Sequence, residues 1–140
     1  MFSKSCEYAI RSIFYISLKS QEGRKIGIKE IAEQLDMPAP FLAKILQSLV
    51  RNKIISSLKG PNGGFFVSNP KKISLIKIIE AIDGIDVFKK CTIGLKKCSD
   101  TKPCPVHHLI KPYRDALKGT LATKTLDQII TELEEHKTFI

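Results

Sequence analysis

Apolar residues recur along the first half of the chain at the spacing of amphipathic helices. Residues 5–18 are apolar on more than one side, which predicts a helix packed between other elements. Two shorter sets then follow the i, i+3, i+4, i+7 pattern on either side of a break at residues 36–40: Ile28, Ile31, Ala32, Leu35 and Leu42, Ile45, Leu46, Leu49. Two short helices joined by a tight turn predict a helix-turn-helix.

The hydrophobic pattern changes after Asn52 from helical spacing to two short apolar runs. Residues 54–58 and 65–67 flank the sequence Lys-Gly-Pro-Asn-Gly-Gly at 59–64. This arrangement predicts two strands joined by a glycine-rich turn, which is the wing of a winged helix. Glycine permits the positive φ angles that such a turn needs.

The second half of the chain returns to helical patterns around a polar segment. Ser74 caps a helix that stops at Gly84, and Pro105 opens a long helical stretch that Pro112 is expected to kink or restart. We therefore expect a mostly α fold with a small β-hairpin wing. Its predicted divisions are a winged helix-turn-helix in 1–84, a cysteine-rich loop in 85–104, and a long dimerisation helix with a C-terminal helix in 105–140.

The charge of the chain favours a polyanionic partner. Its 140 residues are 43% hydrophobic, enough for one modest core, and they carry a formal net charge of +9. Residues 37–79 contain no acidic residue but seven lysines and arginines. A one-signed stretch of this kind suits a phosphate backbone, although a solvated basic face is the alternative interpretation.

Other function classes find little support. Lys4, Glu7 and Arg11 interrupt the apolar N-terminal run, so we interpret it as neither a signal peptide nor a membrane span and expect a cytoplasmic protein without a membrane partner. No nucleophile with a partnered base, phosphate loop or cofactor fingerprint is recognisable in the sequence. We therefore expect that the protein is not an enzyme.

Three of the four cysteines, Cys91, Cys98 and Cys104, crowd into one short segment, and His107 follows closely. Three thiolates and one imidazole can hold an iron-sulfur cluster. The same four donors would also satisfy zinc, and free thiols could serve as a redox switch or have no role. Cys6, at the start of the apolar first helix, is expected to be a buried and inert thiol.

The order of these elements resembles the Rrf family of bacterial winged-helix transcription regulators, of the IscR and NsrR type. The specific features are Tyr8-Ala9-Ile10-Arg11, the KGPNGGF sequence at 59–65 and the three-cysteine loop. The resemblance implies a homodimer, expected to be a repressor, whose long helices cross and which grips a near-palindromic operator in double-stranded DNA. It also implies a two-iron or four-iron cluster in each protomer, whose loss or oxidation changes DNA binding.

The resemblance offers two candidates for the fourth cluster ligand. His107 matches the histidine of the IscR type, and we favour it. Glu7 aligns with the carboxylate that the NsrR type presents from the partner subunit. The first gap between cysteines, 92–97, is one residue longer here than in the well-known cluster binders. A winged-helix regulator with zinc-bound or redox-active thiols remains the alternative, followed by a cluster-bearing electron-transfer protein.

The second helix of the motif, residues 38–51, is predicted to enter the major groove. Its candidate base-reading residues are Ala39, Pro40, Ala43, Lys44 and Gln47. Arg51, Lys53 and Lys59 suit phosphates, and Asn62 is a further candidate contact in the wing turn. The family uses polar residues at the positions that match Pro40 and Ala43, so the resemblance implies a different operator, read through thymine methyl groups and Lys44.

Overall fold

The computed structural model describes residues 1–136, so the end of the predicted segment 105–140 lies outside the described residues. The helices are α1 (Lys4–Gln21), α2 (Ile28–Gln34), α3 (Ala39–Arg51), α4 (Leu75–Asp83), α5 (His107–Thr123) and α6 (Leu126–His136), and the strands are β1 (Ser56–Leu58) and β2 (Gly64–Phe66). Two short 3₁₀ helices span Pro70–Lys72 and Ile85–Phe88. The predicted mostly α fold with a β-hairpin wing is confirmed.

Helix α1 forms the centre of the core. Its N-terminus is capped by the Ser3 hydroxyl, which accepts a hydrogen bond from the Cys6 amide at 3.1 Å. Ala9, Ile13 and Ile16 are fully buried, and they pack in one cluster with side chains from α2, α3, α4 and α6. The two-sided apolar pattern of this helix therefore reflects contacts with several elements of its own chain.

The helix-turn-helix is fastened to α1 by a side chain of the Tyr8-Ala9-Ile10-Arg11 stretch. Arg11 Nη2 donates a hydrogen bond to the carbonyl of Leu35, the C-cap residue of α2, at 3.1 Å. This guanidinium partners one of the carbonyls that a helix C-terminus leaves unpaired. Pro38 caps α3, and Pro40 lies in its first turn, where a missing amide hydrogen costs nothing.

The wing is shorter than its sequence pattern suggests. Its two strands pair antiparallel, with Ser57 opposite Phe65. We predicted strand character from residue 54, but Ile54 and Ile55 are buried in the core before β1 begins. An isolated bridge between Ile26 and Phe65, with N–O distances of 2.9 and 2.8 Å, ties the wing to the segment before α2.

The C-terminal helices differ in how they pack. Leu126 and Ile130 of α6 are fully buried in the main core, and the Leu126 amide donates to the Ile73 carbonyl at 2.7 Å. Helix α6 thus packs with residues 1–84, although the predicted division separates them. Helix α5 runs through Pro112 as one continuous element, so the predicted restart at this proline does not occur.

The segment between α4 and α5 is less polar than expected. Phe88 and Cys91 are buried, and Phe88 joins a second apolar cluster with Cys6, Ile76 and Ile79. This cluster anchors the beginning of the cysteine-bearing segment against α1 and α4. Within residues 1–136, no helix combines the length and the apolar character that crossing a membrane requires.

Candidate DNA-binding face and cysteine site

Helix α3 presents a polar and basic stripe on the side opposite its buried residues. Pro40, Lys44, Gln47 and Arg51 are exposed and follow one another at helical spacing. Ala39 and Ala43 are half-buried at the edge of this stripe. The structure therefore brings the candidate base-reading residues to one accessible face, with Arg51 at the C-terminal end of the helix.

The remaining candidate DNA contacts lie around the wing. Lys59 and Asn62 are exposed in the turn between β1 and β2. Lys53, just after α3, has a φ of 58° in the left-handed region and lines a cleft of about 560 Å³ with Lys72 and Lys77. Lys53 thus lies at the base of the wing, and Lys59 and Asn62 lie at its tip.

Phe41 also lies on this face, although the hydrophobic periodicity of the sequence did not indicate it. Its ring is 39% exposed although it stands beside the buried Leu42 in the first turn of α3. The Phe41 ring packs edge-on against Tyr8 of α1, with centroids 5.7 Å apart and an interplanar angle of 73°. A phenylalanine next to a core stripe gives no sequence signal that distinguishes a surface position from a buried one.

The cysteine-bearing segment folds back onto the first turns of α5. Cys91 Sγ lies 4.0 Å from Cys104 Sγ, and Cys98 Sγ lies 3.3 Å from His107 Nδ1. All four residues line one cavity, which Arg114 also borders. The structure therefore brings the sequence-predicted ligands together as two close pairs.

His107 is held by a carboxylate on the side away from Cys98. Its side chain is buried, and its Nε2 lies 2.8 Å from Asp100 Oδ1. Because a carboxylate only accepts hydrogen bonds, Asp100 fixes the ring form that carries the hydrogen on Nε2. The Nδ1 atom on the other side of the ring faces Cys98. The same hydrogen bond lowers the pKa of Asp100.

Backbone amides favour the thiolate form of Cys91. Hydrogen bonds from the amides of Leu95 and Ile93 lower the pKa of the Cys91 thiol. On the other side of the cavity, Arg114 Nη1 donates to Cys98 Sγ at 3.4 Å and to the Lys90 carbonyl at 3.1 Å. This contact with Cys98 raises the pKa of Arg114. Deprotonated sulfur is the form that binds metals, so these surroundings suit ligation.

The donor set fits an iron-sulfur cluster in chemistry, while the cavity itself is small. Three sulfurs and one imidazole are established cluster ligands. The cavity measures about 10 Å³, and among residues 1–136 no three His, Cys, Asp or Glu side chains are spaced closely enough to hold a metal ion. Residues 89–104 contain neither an α-helix nor a strand, so the two pairs can separate without breaking one.

The alternative ligand Glu7 and the remaining cysteine, Cys6, both lie outside this cavity. Glu7 is exposed on α1 and forms an ion pair with Lys4 at 3.0 Å. Cys6 is fully buried in the second apolar cluster, where burial raises the pKa of its thiol to about 12. This environment is that of an unreactive thiol.

Comparisons with known proteins agree with this architecture. The model of the Rrf2 family, described as iron-dependent transcriptional regulators, matches residues 2–132. An HTH-type transcriptional regulator of Aquifex aeolicus is 31% identical over 139 residues, covering 97% of this chain and 95% of the relative. The regulator IscR of Pectobacterium atrosepticum is 27% identical over 128 residues, covering 91% of this chain and 77% of the relative.

Two solved structures share the fold. The global cysteine regulator CymR of B. subtilis superposes with a TM-score of 0.75 at 22% identity, covering 94% of this chain and 96% of that one. IscR of T. potens gives a TM-score of 0.75 at 18% identity, covering 100% and 93%. From the family match over nearly its whole length, we conclude that this chain is a DNA-binding transcriptional regulator of the Rrf2 family.

Proposed function

We propose that the protein acts as a homodimeric repressor whose operator binding responds to an iron-sulfur cluster. Cys91, Cys98, Cys104 and His107 would hold this cluster. The observation that carries the proposal is the convergence of both donor pairs on one cavity, with His107 already oriented by Asp100. Outer hydrogen bonds of this kind fix a ligand histidine and raise its affinity for metal. When bound, the cluster would supply an oxidisable group.

DNA recognition is assigned to α3 and the wing. The stripe of Pro40, Lys44, Gln47 and Arg51 faces solvent and has no acidic residue within the surrounding residues 37–79. A helix of this kind enters the major groove with its first turn nearest the bases. Lys59 at the wing tip and Arg51 would contact phosphates, which set affinity and register without reading sequence.

The second copy of the chain would pack on the exposed face of α5. Leu109 and Tyr113 on this helix are 67% and 78% exposed. Next to them lies an apolar cavity of about 630 Å³ lined in part by Val87, Phe88 and Ile110. A surface this apolar on a DNA-binding protein is typical of a subunit interface, and two α3 helices then serve the two halves of a near-palindromic operator.

The position of His107 suggests how the cluster would affect DNA binding. His107 is the first residue of α5, and the apolar residues Leu109 and Ile110 follow within the next turn. Any movement of the cysteine segment upon cluster loss is therefore transmitted to the helix that carries the proposed interface. A small rotation of that interface changes the separation of the two α3 helices, to which operator affinity is sensitive.

A specific observation favours a second candidate, a regulator with redox-active thiols. The sulfurs of Cys91 and Cys104 lie 4.0 Å apart, and the amides of Leu95 and Ile93 favour the reactive thiolate of Cys91. A peroxide could accept two electrons and two protons from this pair, forming a disulfide between the two sulfurs while its O–O bond is reduced. This step would change the same segment without any metal. Zinc at the four donors is a variant of this candidate, and an electron-transfer role finds no separate support in the structure.

The test combines operator selection with cluster removal. The wild-type protein, purified and reconstituted with iron and sulfide without oxygen, selects its binding sequence from a random DNA pool. Operator affinity is then measured for cluster-loaded protein, cluster-free protein and Cys98→Ala, with Ile93→Ala, an exposed change in the same segment, as the matched control. We expect cluster-free protein and Cys98→Ala to share an altered affinity, while Ile93→Ala behaves as wild type. Equal affinity in all four samples would contradict the proposed cluster response.

A further inference from the structure

Phe41 is an aromatic residue exposed at the start of the helix assigned to DNA recognition. It is 39% exposed, whereas the apolar residues Leu42, Ile45, Leu46 and Leu49 of α3 are buried. Isolated exposed apolar side chains are common on protein surfaces and need no function. Phe41, however, lies in the turn of α3 that is expected to be nearest the bases, where its ring can meet a base edge.

The Phe41 ring is fixed before any DNA arrives. Tyr8 of α1 contacts it edge-on at 5.7 Å, and the Lys4 ammonium lies 5.5 Å from the Tyr8 ring. An aromatic pair of this geometry holds its rings more firmly than a lone surface side chain. Because the ring is already ordered, a contact with DNA loses little conformational entropy, which favours a discriminating contact over a loose one.

The neighbouring side chains at the start of α3 do not read bases by hydrogen bonding. Ala39, Pro40 and Ala43 have apolar side chains, and Pro40 has no amide hydrogen either. Phe41 and Lys44 are three residues apart and therefore lie in one row along the helix. The first turn of α3 thus offers the major groove an apolar surface bordered by one lysine.

The major groove presents one apolar feature that distinguishes bases, the C5 methyl group of thymine. We propose that Phe41 is a specificity-determining residue whose exposed ring edge contacts a thymine methyl group in each half-site. This inference rests on the proposed role of α3 in the major groove. Tyr8 is then a positioning residue, because it holds the ring of Phe41 without reaching the base itself.

The experiment removes the methyl group from DNA and the ring from the protein in turn. The wild-type protein selects an operator from a random pool, and each thymine of one half-site is replaced singly by deoxyuridine, which lacks only the methyl group. Affinities are measured for wild type, Phe41→Ala and Phe41→Leu, with Gln47→Ala as the matched α3 variant. Phe41→Leu keeps an apolar side chain if loss of the Tyr8 contact prevents Phe41→Ala from folding.

We expect one thymine position at which deoxyuridine weakens wild-type binding by about fourfold, the loss that corresponds to one buried methyl group. At that position the Phe41 variants should bind both DNAs equally, and Gln47→Ala should keep the wild-type ratio. If deoxyuridine has the same effect on the Phe41 variants as on wild type, the inference fails while the proposed DNA recognition stands. If the wild-type protein enriches no sequence, both fail.

Discussion

His107 Nδ1 faces Cys98 Sγ at 3.3 Å, and this pair forms one side of the candidate cluster site. The opposite nitrogen of the ring is bound to Asp100 at 2.8 Å. By holding the hydrogen on Nε2, Asp100 therefore makes Nδ1, which faces Cys98, the nitrogen that can act as a ligand. The three residues lie within one short stretch of chain, and their arrangement leads to the first prediction.

Replacement of Asp100 by Asn should weaken cluster binding without altering the ligands. An amide can present either its oxygen or its NH₂ group to Nε2, so the ring form of His107 is no longer fixed. We expect iron retention after a chelator challenge to fall about tenfold, the lower end of the range for outer-shell changes. Asp86→Asn, an exposed change in the 3₁₀ helix before Cys91, is the control. Equal iron retention in both variants would show that Asp100 does not position His107.

Removal of the Lys59 charge should weaken DNA binding at every sequence alike. Lys59 is exposed at the wing, where a phosphate contact would release one counterion. For Lys59→Ala, we expect the magnitude of the slope of log affinity against log salt concentration to decrease by about one for each protomer that loses the phosphate contact. The base preference should stay unchanged. Lys118→Ala, on α5, makes the same charge change away from the proposed DNA face and should leave the slope as it is. A changed base preference would instead assign Lys59 to sequence reading.

Gly64 is one of two wing positions, with Gly63, at which an added side chain would clash with backbone atoms. Its φ is +139°, and a Cβ atom would lie 2.8 Å from the backbone nitrogen of Ile26. Gly64→Ala should therefore break the bridge between Ile26 and Phe65 and lower the free energy of unfolding by about 2 kcal/mol. Urea unfolding measures this change. Gly60→Ala, which meets no atom within 4 Å although its φ is also positive, separates backbone strain from the clash.

Tyr15 and Glu30 should give the stability of the fold a dependence on alkaline pH. Burial and the 2.9 Å hydrogen bond to Glu30 raise the pKa of Tyr15 to about 12 from 10.0. The folded state thus retains this proton more tightly, so its stabilisation is complete below pH 10.0 and disappears as the pH rises towards 12. At neutral pH, Tyr15→Phe should lower the free energy of unfolding by about 1 kcal/mol, because it removes this hydrogen bond. Unfolding of both proteins across this range should show their difference vanishing, and a constant difference would contradict the argument.

The periodic parts of the fold were predictable because burial and helical spacing reinforce each other. The helices around Ile31 and Leu46, and the glycine turn at 59–64, follow directly from patterns that the structure reproduces. The prediction of a strand at Ile54 and Ile55 was wrong, because an apolar run before a turn has the same composition in a strand and in a core segment. The packing of α6 with α1 depends on long-range contacts that no local pattern encodes.

The candidate cysteine site was predictable in its membership and not in its arrangement. Spacing singled out Cys91, Cys98, Cys104 and His107, and whether they bind a cluster stays a prediction. The division into two close pairs results from how the segment after Phe88 folds back on α5. Asp100 gave no signal in the sequence, since an aspartate in a polar loop is ordinary. Only its contact with a buried histidine distinguishes it.

Making the exposed face of α5 polar should weaken the association of two copies of the chain. Tyr113 is 78% exposed, so its replacement by Asp disturbs little within one chain. We expect Tyr113→Asp to raise the dimer dissociation constant at least tenfold in sedimentation equilibrium, because a charge would be buried in an apolar interface. Lys118→Ala on the same helix makes the same change in net charge and is the control. A dimer of unchanged strength in Tyr113→Asp would place the interface elsewhere.

Whether a cluster occupies the cysteine site is measured on the protein purified without oxygen. Its visible absorption spectrum is recorded together with the iron and acid-labile sulfide content per chain. We expect a brown protein with matching iron and sulfide, and a Cys98→Ala variant that lacks both the colour and the sulfide. A colourless wild-type protein without iron, whether it contains zinc or no metal, would contradict the claim and favour the thiol-based regulator.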